Sequence, residues 1–111
     1  MEQQIIRNGT SITVHLPDEV DHCSSQQLRG ELEKLIRQRN IRKILFDFGD
    51  TVFMDSSGIG MLLGSYKTMR FMGGTIQIIN AGERMRKILM LSGVDKVVDI
   101  YQGFPKESNL M

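Results

Sequence analysis

The stretch IRKILFDFGDTVFMDSSGIG, residues 41–60, decides the architecture of this chain. Its opening part, 41–48, carries Ile44, Leu45, Phe46 and Phe48 almost without polar interruption. Such a run suits a central strand covered by helices on at least one face. Gly49-Asp50-Thr51 then turns the chain, and Val52-Phe53-Met54 leads into Asp55-Ser56-Ser57-Gly58. From Ser57 to about Met72, Ile59, Leu62, Leu63, Tyr66 and Met69 recur at helical spacing, and Gly73-Gly74 closes the helix as a C-cap would. The unit is strand, loop, helix, with an Asp-Ser-Ser-Gly run at the seam.

Working outward, residues 24–39 form a second helix in which Leu28, Leu32, Leu35 and Ile36 make one apolar stripe. Glu31, Lys34, Arg37 and Gln38 take its wet side, and Ser24 with Gln27 reads as a capping box at its start. Gly30 weakens this helix by about 1 kcal/mol relative to alanine without stopping it. Asn40 is expected to end it.

Before that helix the chain reads as a hairpin. Ile5-Ile6 precede Asn8-Gly9, a favoured two-residue turn, and Ile12, Val14 and Leu16 alternate with Thr13 and His15 until Pro17 closes the strand. Downstream, 75–80 is a strand and 83–91 a short helix with Met85, Ile88 and Leu89 on one face, capped by Ser92-Gly93. A last short strand is expected at 97–100, with a loosely ordered tail over 103–111.

The order β-β-α-β-α-β-α-β demands right-handed crossovers and an α/β fold with a mixed, mostly parallel sheet. The N-terminal hairpin supplies the antiparallel part. Three helices this short cannot cover both sides of a sheet, so they are expected mainly on one face. With 111 residues, no repeat and no linker, the whole of 1–111 reads as a single domain.

Composition excludes several functions. Fourteen basic against thirteen acidic residues give a net charge of +1, with no clustered basic face for direct nucleic-acid binding. Apolar runs are too short to span a membrane, and Met1-Glu2-Gln3-Gln4 lacks the apolar start of a signal peptide, so a cytoplasmic location is expected. A single cysteine, Cys23, and two histidines, His15 and His22, offer neither an internal disulfide nor a metal site. A Cys23–His22 catalytic pair is disfavoured because neighbours on an extended segment point apart. A serine hydrolase is disfavoured, since the Gly-x-Ser-x-Gly elbow is absent and no histidine follows the serines. Gly58-Ile59-Gly60 lacks the Gly-Lys-Ser/Thr ending of a phosphate loop. No enzyme activity and no cofactor are expected.

The seam 53–60 has two readings on its own physics. Asp55 or Ser56 caps the helix, as such residues commonly do. Alternatively, a phosphate on Ser56 or Ser57 is welcome there, because the first turn of a helix presents unpaired N–H groups and the positive end of its dipole. One cap needs only one such residue, whereas three come in a row before two glycines. Gly58 and Gly60 are expected to keep the surface beside the hydroxyls bare. Of the methionines, Met61, Met69, Met72 and Met90 are either core filler or a soft binding face. Arg84, Arg86 and Lys87 read as a solvated helix face.

The run from Phe53 to Gly60, continuing through Leu62, Leu63, Gly64, Tyr66 and Lys67 to Gly73-Gly74, resembles the STAS-domain anti-sigma factor antagonists, most of all their sporulation (sigma F) branch. Glu19-Val20-Asp21-His22 is similar to that family's acidic motif before the first helix, and Leu91-Ser92-Gly93-Val94 to its helix-ending pattern. The resemblance covers about residues 5–100. It implies a STAS fold, a phosphate acceptor at Ser56, and a partner surface of Asp21, Asp55, Ser57, Gly58 and Gly60.

The partners it implies are an anti-sigma factor that is also a serine kinase, and a serine/threonine protein phosphatase that resets the switch. The chain itself is expected to be a monomer when free. A STAS partner-switch or scaffold protein in a stress, sensory or secretion pathway is the alternative. Pro17-Asp18, where relatives often carry glycine, and Cys23, where histidine or another polar residue is common, depart from the pattern near the partner surface.

Overall fold

In the computed structural model, which describes residues 4–38 and 40–103, five strands line up in the order β1-β2-β4-β6-β7. They are β1 (Ile5–Asn8), β2 (Ser11–His15), β4 (Lys43–Asp47), β6 (Thr75–Ile79) and β7 (Asp99–Tyr101). The hairpin β1–β2 is antiparallel and every other pairing in this sheet is parallel. Strand β4 lies at the centre, as its continuous apolar run requires.

Three helices connect the strands: α1 (His22–Gln38), α2 (Ser56–Phe71) and α3 (Glu83–Leu91). Ile12, Val14, Ile44, Phe46, Ile76 and Ile78 project to one face of the sheet and join one buried cluster. Leu28, Leu32 and Ile36 of α1 meet them there, with Met61, Leu62 and Met69 of α2 and Met85 and Leu89 of α3. Leu45 and Ile79, at alternate positions, are buried outside that cluster, on the face the helices do not serve. Met61 and Met69 are therefore core filler, while Met72 and Met90 are exposed.

Several boundaries differ from the sequence reading for local reasons. The hairpin turn is Gly9-Thr10, because Asn8 pairs with Ser11; Gly9 takes φ 65°, the first-position glycine that a type II′ turn needs. Helix α1 starts two residues early, with Asp21 as its cap. The Ser24 backbone N–H donates to Asp21 Oδ1 at 3.0 Å, and the Asp21 N–H donates back to Ser24 Oγ at 3.0 Å. That is a capping box one turn upstream of the Ser24–Gln27 pair. The early start also makes His22 and Cys23 helical rather than extended.

At the other end of the chain, Val97 and Val98 do not join a strand. A 3-10 turn (Val94–Lys96) follows Gly93, whose φ is 86°, and β7 begins only at Asp99. Val94 and Val98 instead fill the core under α3. The expected loose tail falls, beyond residue 103, outside the described residues. No described helix is long and apolar enough to cross a membrane.

Candidate functional site

A second, two-stranded sheet builds the site, and no periodicity announced it. Strands β3 (Glu19–Val20) and β5 (Phe53–Met54) run parallel, with Glu19 opposite Phe53 and Val20 opposite Met54. Around them the two segments are zipped together. Val52 N–H donates to Asp18 O at 2.8 Å, Asp55 N–H to Val20 O at 3.1 Å, and the buried Thr51 hydroxyl to Pro17 O at 2.8 Å. Val20 and Met54 point inward to the core while Phe53 stays exposed. The pairing stops where both segments turn into helices, so the starts of α1 and α2 stand side by side.

Asp55 is the N-cap of α2. Its backbone is extended, and its Oδ1 accepts from Ser57 N–H at 2.9 Å and Gly58 N–H at 3.3 Å. A side chain in this role stabilises a helix by about 0.5–2 kcal/mol over alanine. With Asp55 doing the capping, Ser56 is released from that duty. It is the first residue of the helix, and it is exposed. Ser57, one residue on, is half-buried and turned toward α1, where its Oγ lies 3.3 Å from His22 Nδ1. That contact joins residues 35 positions apart.

Asp21 caps α1 in the adjoining loop and is exposed. The backbone N–H of Ser24 bonded to its carboxylate holds its pKa below the ordinary value of 3.8, opposed by desolvation and helped by the Ser24 hydroxyl. A carboxyl depressed by folding stabilises the fold at pH above its unfolded value, and that contribution disappears as pH falls through the lower folded value. Between neutrality and pH 5 the capping box should therefore be intact, and it should loosen only below about pH 4. An NMR titration of the Asp21 carboxyl carbon, with the Ser24 amide as reporter, checks this. A midpoint at or above 3.8 would contradict the geometry.

The two glycines part company. Gly60 is exposed, with the Arg29 guanidinium lying 3.6 Å from where a Cβ would stand. Gly58 does not leave a bare surface as expected, because it is buried. A Cβ there would stand 2.5 Å from Met54 Cγ and 2.9 Å from Val20 Cγ1, the two residues that anchor the small sheet. Gly58→Ala is thus expected to destabilise the chain by about 1–3 kcal/mol through overpacking. Urea unfolding measures this, and a cost near zero would mean that the β3–β5 pair slides freely. Asp21, Asp55, Ser56 and Ser57 are brought together at one end of the molecule, with Gly60 at their edge and Gly58 beneath them.

Two residues not singled out from the sequence for this site belong to the same end: Arg29, one face of α1 away, and exposed Val52 beside Phe53. The only sequence signal for Arg29 was its position one residue after the apolar Leu28, which is weak. Cys23 is free and exposed. Among the described residues no group of His, Cys, Asp and Glu could hold a metal ion.

The STAS domain family model matches residues 3–106 of the chain. An anti-sigma F factor antagonist from Paenibacillus polymyxa is 32% identical over 92 residues, covering 83% of this chain and 79% of the relative. An anti-sigma-B factor antagonist from Bacillus subtilis is 30% identical over 94 residues, covering 85% of this chain and 84% of the relative. Among solved structures, the Bacillus cell fate determinant SpoIIAA in its phosphorylated form superposes with a TM-score of 0.75 at 26% identity, covering 96% of this chain and 95% of that one. An anti-sigma-factor antagonist (STAS) domain protein from Planctomyces limnophilus has the same fold, with a TM-score of 0.79 at 17% identity over 96% of this chain and 92% of that one.

Proposed function

This chain belongs to the STAS domain family, and from that premise we propose that it is an anti-sigma factor antagonist whose off-switch is a phosphate on Ser56. Unphosphorylated, it binds an anti-sigma factor and thereby frees a sigma factor for RNA polymerase. The anti-sigma factor is also a serine kinase that transfers the γ-phosphoryl group of ATP to Ser56, and the complex then separates. A serine/threonine protein phosphatase removes the phosphate and resets the chain. All of this takes place in the cytoplasm. The chain contributes a substrate hydroxyl and a docking surface, and the catalysis lies in its partners.

The observation that carries this reading is the division of labour between Asp55 and Ser56. Asp55 supplies the cap, so the exposed Ser56 hydroxyl is free to react without unravelling α2. The relatives named for anti-sigma factor antagonism, for sigma F in one case and sigma B in another, support the same reading. Because the sigma B relative, at 30% identity, stands close behind the sigma F relative at 32%, a stress-response or related partner switch is the second reading for the pathway. It leaves the serine switch unchanged.

The partner-facing surface comprises Asp21, Asp55, Ser57 and Gly60 around Ser56, with Gly58 setting the loop's packing. The test incubates the purified chain with the candidate anti-sigma kinase and ATP, and reads intact mass and site by mass spectrometry. One added phosphate on Ser56, absent from Ser56→Ala, is expected. Tight binding with no phosphate on Ser56 would overturn the switch and leave a docking scaffold.

A further inference from the structure

Between the first two turns of α1 and of α2 lies a cleft of about 150 Å³ lined by His22, Ser25, Gln26, Arg29, Ser57 and Gly60. Three observations make it more than a gap between helices. Arg29 has no carboxylate or other hydrogen-bonding partner among the described residues, although it lies against Gly60 at the mouth of α2. His22 already reaches across to Ser57 Oγ at 3.3 Å. The Ser25 hydroxyl, on the cleft wall, is buried with a residue exposure of 2% and has no hydrogen-bond partner. Arg29 and His22 border the space toward which Ser57, and not the solvent-facing Ser56, turns its side chain, and the unmatched Ser25 hydroxyl is buried within its wall.

We propose that this cleft is a built receptor for a phosphate carried on Ser57, the γ-phosphoryl group of ATP passing to Ser57 Oγ with loss of the hydroxyl proton and release of ADP, making Ser57 a second phosphate-bearing position whose charge is partly offset within the chain. The chemistry fits a phosphate monoester. Its oxygens accept from the guanidinium fork and from a ring N–H of His22, and charge-assisted bonds of this kind are the strong ones. The nearby carboxylates oppose it only in part. Asp55 is tied to the Ser57 and Gly58 amides, and Asp21 to Ser24, so neither is directed into the cleft by its bonding. A phosphate on Ser56 would face a partner, whereas one on Ser57 would be folded against α1. The two serines then have different consequences despite being neighbours.

The inference rests on the reading of this loop as a phosphorylation loop, but its test does not depend on any kinase. Phosphoserine is installed genetically at residue 57 in one full-length sample and at residue 56 in another, and each phosphate is titrated by ³¹P NMR. A free phosphoserine has its second pKa near 6. The phosphate at 57 is expected to titrate about 0.5–1 pH unit lower than the phosphate at 56, since nearby opposite charge favours the dianion. Arg29→Gln should remove most of that difference and Arg29→Lys should retain part of it. His22→Gln should remove the remainder. Equal titration at the two positions would overturn the proposal, as would a difference that survives both Arg29→Gln and His22→Gln. A chain that no longer folds with phosphoserine at 57 would overturn it too. Failure of the kinase to modify Ser56 would sink the proposed switch while leaving this result intact.

Discussion

The chain phosphorylated on Ser56 is expected to bind its anti-sigma factor more than about a hundredfold more weakly than the unmodified chain, equivalent to about 3 kcal/mol. The phosphate adds a charge of about −1.5 to −2 to a surface that already carries Asp55 and Asp21. Any carboxylate or buried apolar group of the partner pressed against that spot is then repelled or desolvated without compensation. Isothermal titration of both forms measures the loss. Part of the loss should be recovered at high salt, because charges on an exposed surface are screened within about 10 Å at 0.1 M. Ser56→Ala should bind like the unmodified chain, and Ser56→Asp should fall between, having fewer charges and fewer acceptor oxygens than phosphate. If the phosphorylated chain bound within about threefold of the unmodified one, local repulsion would not be the switch.

Phe46→Ala is expected to cost about 3–5 kcal/mol of stability, the usual toll of truncating a buried aromatic residue. Phe46 is fully buried on the central strand, opposite Val14 on one side and Ile78 on the other, both buried as well. Strands pinned on both sides leave little room for the site to collapse into the void. Against a typical total of about 5–15 kcal/mol, one truncation here can bring the chain to the edge of unfolding. Urea denaturation should show a lower midpoint with an unchanged slope. A cost below about 1 kcal/mol would mean that β4 is not the centre of the core. At Leu45, on the other face and outside the cluster, truncation should cost distinctly less.

The sequence made the large elements legible because their apolar spacing is repeated many times. Leu28, Leu32 and Ile36 announce α1, and the unbroken apolar run 44–46 announces a central strand; both are where they were expected. The family resemblance also brought Asp21 and Ser56 to attention together. What the spacing could not reveal was why those two loops are neighbours. Two-residue strands such as β3 and β5 carry no period, and their bonds join Asp18 to Val52 and Val20 to Asp55 across more than thirty positions. The start of α1 lies nearly a turn upstream of its expected cap for a related reason. Asp21, Ser24 and Gln27 all satisfy the spacing of a capping box, and only the β3–β5 pairing decides that the helix begins at His22. The burial of Gly58 was not legible, because a glycine beside serines looks the same in sequence whether it opens a surface or admits Met54 and Val20 beneath it.

The β3–β5 zipper has a consequence in time as well as in space. Neither strand pairs with one close in sequence, and the parallel pairings of the main sheet likewise join strands that whole helices separate along the chain. Non-local pairing of this kind delays folding, because loop entropy is surrendered before contacts repay it. The Asp21 and Ser56 loops therefore meet only in a chain whose β3–β5 pairing has closed around α1 and β4. On the proposed function, a kinase that touches both loops at once would act on chains in which this pairing has formed, and not on every chain that displays the Asp-Ser-Ser-Gly run.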